Sequence, residues 1–236
     1  MSDFRLWSYL ASGPLLWLWV TLLAYWIGDA LFRASGRRPW ANPVLIAVAL
    51  IAVGLQATGT RYETYFDGAQ FVHFLLGPAT VCLALPLQAN LARVRRAALP
   101  VAAALLAGSV TAIVTALGVA SLLGAGPDTL AALAPKSATA PVAIGIAEGL
   151  GGDPTLTAVL VLLTGMIGAV VVTPLLNALG FTDWRARGLA IGVAAHGIGT
   201  ARAFQVHETA GAFASLGMGL NAVLTALIAP MILRLF

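Results

Sequence analysis

The sequence predicts an all-α integral membrane protein. It reads as a single polytopic domain over residues 1–236, with about five full transmembrane helices and three interrupted or re-entrant helical segments. Three observations carry this. The chain is 60% hydrophobic and only 9% charged, whereas a soluble domain is about 25% charged. Its mean hydropathy of +0.93 is spread over runs near the 20 apolar residues that a span needs. Five of the six tryptophans, Trp7, Trp17, Trp19, Trp26 and Trp40, lie in the first 40 residues, as suits membrane–water interfaces.

Taken in order, residues 6–32 form the first span. They are too long for a cleaved signal peptide and lack a basic n-region and a small-residue cleavage site, so the span is expected to be retained. Residues 42–57 make a shorter one, and 97–123, 155–179 and 211–235 are full length. Three further runs are long enough to cross but carry breakers. They are 69–92, broken at Gly77-Pro78, 129–150, broken around Pro135-Lys136-Ser137 and Pro141, and 189–208, broken at Gly197 and Gly199. Such breaks are tolerated in a membrane only where the freed backbone groups find other partners. Pro78-Ala79-Thr80, Ser137-Ala138-Thr139 and Gly199-Thr200-Ala201 each put a threonine near a breaker. That self-similarity points to internal repeats, which in transporters place discontinuous helices at the binding site; chance recurrence in an Ala-rich chain is the competing explanation.

Topology follows from arginine. The segments with Arg33, Arg37 and Arg38, and with Arg93, Arg95 and Arg96, should be cytoplasmic, and a loop over 58–68 with Glu63 and Asp67 should face out. Arg185 and Arg187 then fall inside if 129–150 is re-entrant and outside if it spans, so the re-entrant reading is preferred. The net charge of +4 sits in short loops, not on a basic face, so no nucleic-acid partner is implied. The lone Cys82 excludes an internal disulfide and reads as a small hydrophobe. No metal-ligand spacing, phosphate loop or dinucleotide fingerprint is present, so no metal, no cofactor and no catalytic group is assigned, and the chain is not expected to be an enzyme.

The candidate site lies at two of the breaks. Lys136 is the only lysine among thirteen basic residues and sits between two prolines. An ionisable group at membrane depth is costly and is read first as functional, although a lysine near a span end could snorkel to the headgroups. Arg202 follows the Gly197/Gly199 break and could instead balance Glu148 or Glu208. Helices restarting at the breaks present free N–H groups and a positive end. Ser137, Thr139 and Thr200 add hydroxyls, and His196 a titratable donor. These features favour a small anion, with Lys136, Ser137, Thr139, His196, Gly197, Gly199, Thr200 and Arg202 as substrate-binding residues. Glu148 and Glu208 are the candidates for coupling or counter-charge. His196 reads equally as a satisfied structural histidine, Asp153 as a helix cap, and Asp29 as the partner of Arg33 one turn on.

"PKSATAPVA" with "EGLGG", and "AAHGIGTARA" followed by "GAFASLGMGL", resemble the signature runs of the LrgB/CidB family. The likeness extends through "FLLGPATVCLALPL" and covers nearly the whole chain. Pro135, Lys136, Ser137, Thr139 and Pro141 match the first motif, and His196, Gly197, Gly199, Thr200, Ala201 and Arg202 the second. The chain departs from the family pattern at Ala140, Gly145 and Ala195, where threonine, a carboxylate and serine are common. The missing carboxylate at 145 puts a coupling role there in doubt, and Glu148 on the same helix face is its candidate substitute. The resemblance implies multi-pass proteins of the cell membrane that act with a smaller LrgA/CidA-type partner. Members were first described as holin/antiholin-like modulators of murein hydrolase export and cell lysis. A plastid relative moves glycolate and glycerate, and bacterial relatives are tied to pyruvate uptake. The expected function is therefore transport of small monocarboxylates of the glycolate, glycerate, pyruvate or lactate type. The rival is a holin-like pore or regulator that forms a homo-oligomer and has no substrate site. Apart from membrane lipid, the partners implied are the carboxylate anion and the LrgA/CidA-like protein.

Overall fold

The computed structural model describes residues 13–75, Pro78, Cys82 and 95–236. They are helical, with no strand among them, and the chain divides into two compact units, Met1–Cys82 and Leu83–Phe236.

In the first unit, α1 spans Pro14–Ala34, a short 3-10 turn Pro39–Ala41, α2 Pro43–Thr58 and α3 Tyr62–Phe74. The Asn42 side chain accepts from the N–H groups of Val44 and Leu45 at 2.8 and 3.3 Å, capping α2. Gly59, at φ 64°, ends it in the left-handed conformation that glycine tolerates. Helices α1 and α2 touch backbone to backbone, since a Cβ at Gly28 would lie 2.5 Å from the Pro43 oxygen. Asp29 pairs with Arg33 as expected, and Trp19, Trp26 and Trp40 are exposed, as interfacial tryptophans are. Two expectations change. Residues 62–68 do not form a loop but open α3, because Gly68 lets α3 close on Pro14 and Trp17 while the Tyr65 ring meets Trp17 edge-on at 5.9 Å. Helix α2 has 16 residues, about 24 Å, short of a hydrocarbon core of about 30 Å. Among the described residues, four helices are long and apolar enough to cross a membrane. Beyond Leu75 the interrupted run 69–92, with its Gly77 and Thr80, lies outside the described residues except for Pro78 and Cys82, and Arg93 does too.

The second unit contains α4 (Ala98–Leu122), α5 (Pro127–Leu133), α6 (Ala140–Gly149), α7 (Pro154–Ala178), α8 (Trp184–Val206) and α9 (Glu208–Leu233). Helices α4, α7 and α9 are three of the four spans. Two helical hairpins sit among them. The first is α5–α6, interrupted over 134–138. A Cβ at Gly152 would lie 2.6 Å from the Ala132 nitrogen, so the chain has come back beside α5 by the time α6 ends. The run 129–150 is therefore re-entrant. The second hairpin is α8, two helical limbs joined by a reversal at Ala195 (φ −129°, ψ 19°) and His196 (φ 41°, ψ −135°). Trp184 and His207, which a straight helix would hold about 34 Å apart, stack with ring centroids 4.8 Å apart. The expected break at Gly197 and Gly199 is thus corrected to Ala195–His196. The glycines serve the returning limb instead, since a Cβ at Gly199 would lie 2.7 Å from Ile191 Cγ1 on the limb before the turn.

The hairpins enter from opposite ends. Ile113 and Leu117 of α4 cluster with Leu130 of α5 and Ile232 of α9 at one end. Val101 and Leu105 cluster with Leu189 and Phe213 at the other, where Arg96 and Arg185 line one cleft. Arg95, Arg96, Arg185 and Arg187 outnumber Asp183 and Glu208 at that end, while Asp128, Glu148 and Asp153 outnumber Arg234 at the other. That is the positive-inside pattern with the arginines cytoplasmic. Caps fix where the helices start. Asp153 accepts from the Leu156 N–H at 2.5 Å and Asp183 from that of Arg185 at 2.8 Å. The Arg185 guanidinium, bonded to Asp183, holds that carboxyl down at about 2, so the stability it lends is present above the ordinary Asp range and fades only as pH falls toward that value. Gly188 and Gly192 lie directly on the backbone of α9 at Ala210 and Ala214, the close approach that small-xxx-small spacing allows in membranes.

This topology is testable by thiol labelling. In a Cys82→Ser background, Gly151→Cys should react with an impermeant maleimide on intact cells, whereas Arg185→Cys should react only after the membrane is opened. Labelling of Arg185→Cys from outside, with Gly151→Cys protected until the membrane is opened, would mean that 127–149 spans the bilayer.

Candidate functional site

Non-helical backbone within a bilayer needs partners from protein, and here one side chain supplies them for both turns. Asn221, midway along α9 and fully buried, donates from Nδ2 to the Ser137 carbonyl at 3.1 Å and to the Val193 carbonyl at 3.2 Å. These belong to the turn of the first hairpin and to the last helical residues before the turn of the second. The Asn221 Oδ1 accepts from Ser109 Oγ of α4 at 2.6 Å and from Thr225 Oγ1 at 3.4 Å. The two tips are thus joined near the middle of α4 and α9. Asn221 and Ser109 escaped the sequence reading because both lie inside runs read as unbroken spans. A polar pair in otherwise apolar spans was the available signal.

His196 occupies the second tip. Its Nε2 lies 2.9 Å from the Val161 carbonyl of α7, and since a carbonyl only accepts, Nε2 carries the proton in this contact. Gly165 of α7 leaves the room for it, because a Cβ there would lie 2.5 Å from His196 Cε1. Gly168 does the same for Ala195. His196 therefore locks the strained φ of 41° against α7, and Thr200 Oγ1 donates to the His196 carbonyl at 2.8 Å. At the first tip, Pro135 and Ser137 are buried and Lys136 is half-buried, its Nζ 3.3 Å from Ser137 Oγ. Thr139 is the N-cap of α6 but makes no side-chain capping bond.

Of the expected residues, the fold brings together Lys136, Ser137 and Thr139 with His196, Gly197, Gly199 and Thr200. Both returning limbs begin at the joined tips, so two helix N-termini with first-turn N–H groups converge there beside an ammonium group. Arg202 is buried further along the returning limb, with Nη1 3.5 Å from Gln205 Oε1. It lines a small cleft with Trp184 and Val206 at the base of the hairpin. Glu148 and Glu208 are exposed and enter no ion pair among the described residues. Among those residues, too, no group of three or more His, Cys, Asp or Glu could hold a metal ion.

Two substitutions test this construction. Replacing Asn221 by Leu strands the Ser137 and Val193 carbonyls and the Ser109 hydroxyl, each at roughly 1–3 kcal/mol. Its melting point in detergent should drop well below that of wild type, while Ser109→Ala, which removes one bond and leaves Asn221 its other partners, should cost far less. Gly165→Val should displace His196 and destabilise the protein by about 1–3 kcal/mol, measured as a lower melting point in detergent. Wild-type melting in both Asn221→Leu and Gly165→Val would mean that the tips are not held as described.

A family model described as the LrgB-like family matches residues 21–235. A relative named Holin-like protein CidB from Staphylococcus epidermidis is 33% identical over 221 residues, covering 94% of this chain and 96% of its own. The protein of the same name from Staphylococcus aureus is 32% identical over 222 residues, with the same coverage. From Bacillus subtilis, the protein YxaC is 35% identical over 198 residues, 84% of this chain and 86% of its own. No solved structure matches the chain.

Proposed function

The chain belongs to the LrgB-like family and is a multi-pass protein of the cell membrane; on that premise we propose that it carries small monocarboxylate anions, of the glycolate, glycerate, pyruvate or lactate type, through the place where its two hairpin tips meet. The observation that carries this reading is the Asn221 amide, bonded at once to Ser137 and Val193. It holds two helix N-termini together at mid-membrane next to the one lysine of the chain. A carboxylate there takes N–H bonds from the first turns of the returning limbs, a hydroxyl bond from Ser137 or Thr139, and the Lys136 charge. His196, Gly197, Gly199 and Thr200 shape the second half of the site. Arg202 offers a guanidinium fork for the anion on the cytoplasmic side of the tips, and Glu148 and Glu208 are the acids available for coupling. A smaller LrgA/CidA-like membrane protein is the proposed partner.

The names of the relatives favour a second reading more than they favour transport. Two of those named above are holin-like proteins, and a holin-like pore or regulator of murein hydrolase export and lysis needs no selective site. The geometry supports transport, since a lytic pore gains nothing from a half-buried lysine beside paired helix N-termini.

Uptake of labelled pyruvate, lactate, glycolate and glycerate into proteoliposomes, with and without the small partner, separates them. Transport predicts saturable uptake that is lost in Lys136→Ala and partly kept in Lys136→Arg. The loss of a desolvated charge partner costs about 2–5 kcal/mol, at least roughly thirty-fold in affinity. Arg202→Lys should also weaken uptake, because it keeps the charge but loses the fork. Unsaturable leakage of solutes of many sizes, equal in wild type and Lys136→Ala, would establish the pore.

A further inference from the structure

A cavity of about 490 Å³ runs along the second unit between α4 and the first limb of α8. Its walls are Ala97, Ala104 and Gly108 on one side and Leu189 and Val193 on the other, with Phe213 beneath. Among the described residues, the charged ones on it are Asp183 and Arg185, at its cytoplasmic mouth. There it meets a second cleft lined by Arg96, Arg185 and Thr182. Apolar length ends in a basic rim: Arg185 is neutralised by Asp183, which leaves the charge of exposed Arg96 in excess.

Length and width select the occupant. From Ala97 to Ala112, both on the wall, the α-helical rise gives about 22 Å, enough to run through one leaflet of a core about 30 Å thick. A transmembrane helix about 10 Å across would sweep roughly 1,700 Å³ over that length, far more than the cavity holds. A polymethylene chain, with neighbours about 4 Å away, sweeps roughly 300 Å³ and fits inside. We propose that this groove is a binding site for an anionic phospholipid, one acyl chain lying along α4 and the phosphate resting at Arg96 and Arg185. The site does not depend on what the hairpin tips carry; it needs only that the protein sits in the cytoplasmic leaflet, where acidic headgroups attract basic rims.

The test uses the full-length protein, purified in mild detergent and placed in nanodiscs of phosphatidylglycerol or phosphatidylcholine, with bound lipid read by native mass spectrometry. Ala104 and Ala190 are both exposed on the groove, so Ala104→Leu/Ala190→Leu fills it with little risk to folding, and an unchanged melting point confirms that. The expected result is retention of phosphatidylglycerol by wild type and about ten-fold less by the filled variant, from the lost chain contact. Arg96→Gln/Arg185→Gln should keep the lipid but lose the preference for phosphatidylglycerol over phosphatidylcholine. Equal retention by wild type and the filled variant would overturn the proposal. Displacement of the lipid by inorganic phosphate alone would do so too, because the chain would then add nothing. So would a filled variant that keeps its lipid but loses a self-association shown by the wild type, since the groove would then hold a helix of a second copy.

Discussion

Everything in the second unit depends on one constraint: a backbone that stops being helical inside a bilayer must have its polar groups satisfied by protein, at several kcal/mol for each group left bare. Two chain reversals at mid-membrane double that demand. Asn221 meets it with a single amide, its nitrogen serving a carbonyl from each hairpin and its oxygen taking the Ser109 hydroxyl. Ser109, Asn221 and the two tips therefore rest on one another, and the spans α4 and α9 are tied to both hairpins at one depth. The His196–Val161 contact and the two α7 glycines fix the second tip from another side.

The chemistry of the meeting place follows from how the hairpins are drawn. A hairpin's first limb ends at the tip with carbonyls and its second begins there with N–H groups. The carbonyls of Ser137 and Val193 are taken up by Asn221. At the start of α6, Thr139 makes no side-chain capping bond, so the first-turn N–H groups there are not consumed in the same way. With Lys136 beside them, the balance of what remains is positive. That is the physical basis for preferring an anion over a cation or a neutral solute.

Much of this was legible in the residues. The apolar runs placed the ends of α4, α7 and α9 within a few residues, because span length is set by the bilayer. Arginine position foretold the re-entrant first hairpin that Gly152 and Ala132 display. What could not be read was which atom closes each turn. Gly197 and Gly199 looked like the break because glycine breaks helices, yet their use is steric, letting the returning limb lie on Ile191. The turn itself falls on Ala195 and His196, and His196 tolerates its conformation because α7 grips the ring. Asn221 is anonymous in sequence for a related reason: its partners are 84 and 28 residues away. Arg202 is legible as a buried charge, but its place near Trp184 at the hairpin base arises only from the reversal.

The central claim is that the two tips touch, and proximity at those positions tests it most directly. Ser137→Cys and Ala194→Cys in a Cys82→Ser chain, oxidised with copper phenanthroline in native membranes, should give an internal disulfide seen as a mobility shift that reductant reverses. The same treatment of Ser137→Cys paired with Leu179→Cys, at the cytoplasmic end of α7, should give none. Failure of the first pair to cross-link while the protein remains folded would mean that the hairpins end apart, and the shared site would not exist.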